Sequence, residues 1–253
     1  MKLLENYERV IYKKNPLVEV VAQLKFPTYL LIASNAPSAF QEELVELYPV
    51  LEPQGALHFD LDGSSPNAVM SNQYLFKSAD DRWSVTLGPD SVALSTFDYI
   101  RWEEFSERWR PILAALLKCY KISNFSRIGL RYRDIIDPQE INLGEFAWGE
   151  LIKPVLLGIY DDPALSDTVV DHTASAATFA VDDFRINLQT SFLVNQNKQK
   201  AFLIDSDFYQ TVSSPAGVDN ALGVLSRLHQ YSGPVFRFCI TEKLHHALGP
   251  EPV

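Results

Sequence analysis

From Ser126 to Ile136 the chain reads Ser-Arg-Ile-Gly-Leu-Arg-Tyr-Arg-Asp-Ile-Ile, and this stretch constrains the fold more than any other. Successive side chains of a strand point to opposite faces, so Ile128, Leu130 and Tyr132 share one side while Gly129, Arg131 and Arg133 share the other. One face is apolar and the other cationic, which suits an antiparallel sheet with one buried and one wet side. A second segment of this kind runs from Leu17 to Phe26, with Val18, Val20, Ala22, Leu24 and Phe26 alternating with Glu19, Val21, Gln23 and Lys25. Asn15-Pro16 sets its extended start, and Pro27 ends it.

The same order of elements succeeds each of these two strands. After the first, Asn35 or Ser38 can cap a helix carrying Phe40, Leu44 and Leu47 to Tyr48, closed by Pro49 and Pro53. Short strands are then predicted at Leu57 to Leu61, Asn72 to Lys77, Trp83 to Leu87 and Val92 to Phe97, split by Gly63-Ser64-Ser65-Pro66, Asp80-Asp81 and Gly88-Pro89-Asp90. Trp102, Phe105, Trp109, Ile112, Leu116 and Tyr120 form a 3.6-residue stripe through to Lys121, with Pro111 inside it as a kink or a break. After the second strand come a helix over Leu143 to Leu156, interrupted by Gly149 and Pro154, and strands near Thr168 to Val181, Phe184 to Val194 and Ala201 to Val212. A last helical stretch runs from Val218 to Leu244 and is interrupted at Gly233-Pro234.

The expectation is therefore an α+β fold of two similar halves, residues 1–122 and 123–253, forming one compact pseudo-duplicated unit with long helices on one face of an antiparallel sheet. That order of elements is the order of TATA-binding-protein-like and helix-grip architectures, an analogy of fold that carries no function with it. Trp102, Phe105, Trp109, Leu222, Leu225 and Phe236 are the expected core of the helical layer.

Charge bears on the class of partner. The 22 basic and 32 acidic residues leave a net charge of −10, which opposes unspecific attraction to phosphate backbones or anionic lipid and argues against nucleic acid. Cys119 and Cys239 stand far apart with no cysteine or histidine ligand spacing, so neither a disulfide framework nor structural zinc is expected. Residues 1–14 contain no apolar signal region and no 18-residue apolar run occurs anywhere, so a cytoplasmic protein without a membrane span is expected. A glycan on Asn124-Phe125-Ser126 is not expected there.

No Gly-rich phosphate loop, nucleophile elbow, metalloprotease helix or kinase signature is present. His58, His172, His229, His245 and His246 are scattered, and the last two suit a helix C-terminus. Asp60-Leu61-Asp62 and Asp205-Ser206-Asp207 each put two carboxylates on one strand face, a spacing open to a divalent ion or an acid/base pair and equally to solvated acids. No catalytic residue, metal or cofactor is assigned.

The candidate site is the polar face summed over the strands. Glu19 and Lys25, Arg131 and Arg133, Arg185, Asn187 and Gln189, and Asp205 and Asp207 all fall on the strand face opposite the apolar one, as do Gln23, Ser84, Thr86 and Ser191. If both halves join one sheet, three arginines stand at its centre. They either pair with Glu19, Asp205 and Asp207 on a merely solvated face, or they recognise a protein partner or an anionic group through planar, multi-donor contacts.

Three motifs carry a resemblance: Tyr12-x-x-x-Pro16-Leu17-x-Glu19-Val20, Arg127-Ile128-Gly129-Leu130-Arg131-Tyr132, and Phe236-x-x-x-Ile240-Thr241-x-x-Leu244. Together they resemble a sporadically distributed, largely uncharacterised bacterial family. Asp134 follows Arg133 where that resemblance would place an asparagine nearby. The resemblance implies an accessory role, for example in defence or mobile-element loci, and implies no activity for any residue. The expected function is a non-enzymatic binding, sensor or adaptor protein acting through the polar sheet face. The alternative is an enzyme or small-ligand-binding protein with its site between the sheet and the long helices.

Overall fold

A computed structural model describes residues 7–57, 70–165, 173–194, 198–211 and 213–252. In chain order the first elements are β1 (Val10–Tyr12), β2 (Leu17–Lys25), α1 (Leu30–Ser34), α2 (Ser38–Leu44), β3 (Val50–Leu57), β4 (Met70–Lys77), β5 (Trp83–Leu87), β6 (Ser91–Thr96) and α3 (Trp102–Cys119). Next come β7 (Asn124–Phe125), β8 (Arg127–Ile136), α4 (Trp148–Leu151) and α5 (Pro154–Leu157). The chain continues through β9 (Ala174–Val181), β10 (Phe184–Val194), β11 (Lys200–Gln210), β12 (Ser214–Pro215), α6 (Val218–Cys239), α7 (Glu242–Ala247) and β13 (Pro250–Pro252).

The fold is α+β. Nine strands form one antiparallel sheet in the order β3-β4-β5-β6-β2-β8-β11-β10-β9. The first long strand of each sequence half, β2 and β8, stand side by side at the middle, and on either side the later strands run outward in reverse order. The central pairing is antiparallel: Ser126 N–H donates to Lys25 O and Ile135 N–H to Pro16 O, both at 2.8 Å.

By compactness the chain divides into two interleaved units, Met1–Val20 with Arg131–Tyr209 and Arg227–Val253, and Val21–Leu130 with Gln210–Ser226. In the second, α3 lays its apolar stripe on the meander, with Phe105 5.8 Å from the Trp83 ring and Arg108 over that ring at 4.4 Å. Trp102, Phe105 and Trp109 are buried, as are Leu222 and Leu225 in the part of α6 that belongs to this unit. In the first unit, Trp148 packs edge-on to Phe192 at 5.1 Å, and Phe192 meets Phe202 at 5.1 Å. The Ile152–Ile240 bridge ties α4 to the start of α7, where the Thr241 hydroxyl accepts the Leu244 N–H and donates to the Glu150 carbonyl at 2.6 Å.

Several elements differ from the sequence reading. The strand expected at Leu57 to Leu61 begins instead at Val50, and residues 58–61 lie outside the described residues. Pro53 is tolerated because β3 is an edge strand, where one side of the backbone needs no ladder donor. The helix expected over Leu143 to Leu156 is two single turns, α4 and α5. Pro154 opens the second, its predecessor Lys153 is extended, and Gly158 ends it at φ 57°. The interruption expected at Gly233-Pro234 does not occur, and α6 continues to Cys239. Pro234 is held within α6, as Pro111 is within α3 after Arg110, so the helix loses a donor there and continues. The break comes at Ile240-Thr241. Phe236 is half-buried, while Val235 and Cys239 take the core positions beyond the proline. Of the strand expected from Thr168, the part before Thr173 lies outside the described residues, as does Val212.

Candidate functional site

The alternation of β8 is carried into the structure in phase. Ile128, Leu130, Tyr132 and Ile136 are buried, and Arg131 and Arg133 are part-exposed. Because β11 is the neighbour of β8, Asp205 comes to Arg131 across the strand pair and is gripped at two points: Arg131 Nε donates to Oδ1 at 2.7 Å and Nη2 to Oδ2 at 2.5 Å. On the other side Arg133 Nη1 donates to Glu19 Oε2 at 2.8 Å, and its Nε stands 3.7 Å from Asp205 Oδ2. The result is a ladder of alternating charge, Glu19, Arg133, Asp205 and Arg131. Its carboxylates are the buried members, with the Asp205 side chain 8% exposed and Glu19 17%, against 31% and 35% for the two arginines. The hydrogen bonds to Asp205 raise the pKa of Arg131 further and so fix its charge.

Strand register places the other candidates. Gln189 lies opposite Asp205 and Asn187 opposite Asp207, so both amides border the ladder. Arg185 lies opposite Tyr209 at the strand end and donates to the Phe184 carbonyl at 2.9 Å. Lys25 closes β2 in the second unit. The structure therefore brings together Glu19, Arg131, Arg133 and Asp205, with Asn187, Gln189 and Asp207 beside them, and leaves Arg185 and Lys25 at strand ends. Asp205 of the Asp205-Ser206-Asp207 pair is occupied by guanidinium groups. Among the described residues no three His, Cys, Asp or Glu side chains are grouped to hold a metal ion. Asp60, Asp62, His58 and His172 lie outside the described residues.

On the opposite face of β8 sits a group that sequence reasoning passed over. Asp134 is in phase with Ile128, Leu130, Tyr132 and Ile136 and is buried, which, together with the charge of Asp205, pushes its pKa up to about 8. The signal was an acid inside an apolar alternation. In the same unit Tyr12 Oη hydrogen-bonds His245 Nδ1 at 2.8 Å, and Arg237, 8% exposed, donates to Glu242 at 2.7 Å. Burial pushes the Tyr12 hydroxyl up to about 12 and lowers His245, leaving the imidazole neutral at pH 7. Burial also raises the Cys239 thiol, so it is inert as a nucleophile.

Tyr12 lies 5.6 Å from the Phe236 ring, and Glu19 holds Arg133, the residue after Tyr132. No protein-family model matches the chain, and no curated protein matches it.

Proposed function

We propose that this chain is a non-enzymatic binding protein, an adaptor or sensor, that docks a protein partner on the polar sheet face around Arg131 and Arg133. The observation that supports this reading is the charge ladder itself. Two half-exposed guanidinium groups are held in place by carboxylates more buried than they are, so the arginines form the outward part of a pre-ordered polar surface. Arginine in such a setting loses little further freedom on binding and is among the residues that dominate protein interfaces. A free anion is the poorer ligand. Glu19 and Asp205 already neutralise both arginines, and Asp207 adds a further negative charge on the same face. The bacterial accessory role implied by the resemblance is compatible with an adaptor and adds nothing to the choice of surface.

The test separates binding from stability. Arg131→Ala with Arg133→Ala leaves Asp205 buried without a cation, so its melting temperature is measured beside partner capture from native lysate. Asn187→Ala with Gln189→Ala alters the same face and leaves the ladder intact. The expected result is loss of the same captured protein in both variants, with an unchanged melt in the second. Capture unchanged in both would overturn the reading.

A further inference from the structure

The two edges of the nine-stranded sheet are not alike. β3 carries Glu52 and Pro53, residues that discourage strand addition. β9 reads Ala-Ser-Ala-Ala-Thr-Phe-Ala-Val, eight residues without a charge, a proline or a break in register against β10. Residues 174–178 and Ala180 are exposed, and among the described residues no strand pairs with the outer edge.

The ladder determines which backbone groups that edge presents. Phe192 N–H donates to Thr173 O, so Thr173 and Phe192 are a hydrogen-bonded pair, and the alternate residues Ser175, Ala177 and Phe179 also bond inward to β10. The N–H and C=O groups of Ala174, Ala176, Thr178 and Ala180 therefore point outward. All four side chains are small.

We propose that β9 is a self-association edge, at which two copies of the chain pair β9 with β9 antiparallel about a twofold axis at Ala177. That axis sets Ala174 opposite Ala180 of the second copy and Ala176 opposite Thr178, and it joins all four outward positions in about eight main-chain hydrogen bonds. A second copy fits for reasons of charge and of surface. Two chains of net charge −10 repel, and a seam between uncharged strands keeps like charges from facing each other directly. Beside this edge the Leu156 carbonyl of α5 accepts from Thr190, whose hydroxyl also bonds Ser175 of β9, and the same region carries Val155 and Ile159 at 72% and 64% exposure. Each copy thus brings exposed apolar surface next to its free strand. One strand pair buries less than the roughly 1,200 Å² of a standard interface, so the dimer is concentration-dependent.

The experiment is sedimentation velocity of the full chain from about 1 to about 200 µM, a range chosen to bracket a weak association. Wild type is compared with Thr178→Pro, whose missing N–H is an outward one at an edge strand, where proline is tolerated, and with the exposed charge variants Ala176→Glu and Thr178→Lys. Wild type is expected to shift from monomer to dimer, with each variant staying monomeric at an unchanged melting temperature. Mixing Ala176→Glu with Thr178→Lys sets opposite charges across the seam and is expected to restore a dimer. A wild type that stays monomeric throughout would overturn the inference and leave the edge to a foreign strand. A dimer indifferent to Thr178→Pro would overturn it in favour of another surface. Neither outcome depends on the polar face.

Discussion

Replacing Asp134 by asparagine should remove a pH dependence of stability that can be calculated from the structure. Asp134 lies on the buried face of β8 and holds its proton up to about pH 8, whereas in the unfolded chain an aspartic acid gives up its proton near pH 4. Between these values the folded state binds one more proton than the unfolded state, so stability falls as pH rises, at up to about 1.4 kcal/mol per pH unit. Below pH 4 both states are protonated, and above pH 8 both are ionised, so the dependence is confined to that window. Its full span is roughly 5 to 6 kcal/mol, about half of it between pH 5 and pH 7. Asparagine has nearly the same shape and no charge, so the difference between variant and wild type isolates this one group. The assay is urea unfolding of both proteins at pH 5, 6, 7 and 8. The variant should gain on wild type by roughly 1 kcal/mol with each pH unit from 5 to 7, and by less from 7 to 8 as Asp134 ionises in the folded state, whatever its constant offset. Two parallel profiles would show that Asp134 ionises normally and that its burial has been misread.

Leu225→Ala should lower stability by about 2 to 5 kcal/mol, because Leu225 is fully buried on α6, and an unchanged denaturation midpoint would place the helix stripe wrongly. Thr241→Ala should cost about 1 to 2 kcal/mol, since it removes both the cap of α7 and the hydrogen bond to the Glu150 carbonyl; Thr241→Ser should restore most of that in thermal melts.

The polar face was legible because strand alternation is a local property: the phase of Ile128, Leu130 and Tyr132 settles the side on which Arg131 and Arg133 stand. Which carboxylate meets which arginine is a property of strand order, and nothing in residues 200–210 alone states that β11 lies beside β8 rather than beside β9. Arg185 shows the same limit, because its face is readable from Phe184 and Ile186 while its distance along the sheet depends on register. Asp134 was readable and missed, since a charged residue was not weighed as a member of an apolar series. The three-residue strands β1 and β13 offer no alternation to detect, and their pairing of Val10 with Pro252 is long-range. Gly233-Pro234 misled because each residue is a helix breaker taken singly, whereas Val235 and Cys239 are buried beyond the proline and packing carries α6 through both.

The interleaving of the two compact units bears on how the protein can be made. The chain passes from one unit to the other at residues 20, 130, 209 and 226, and the second unit takes residues from as late as Ser226. On a ribosome the usual economy is for an early domain to close while a later one is still being synthesised. Here neither unit has all its strands and helices until residue 226 has been synthesised, and β2 lacks its β8 neighbour until residue 136 has been. Folding is then governed by contacts of long sequence separation. A gene split at the midpoint would yield two pieces, each holding only part of both units.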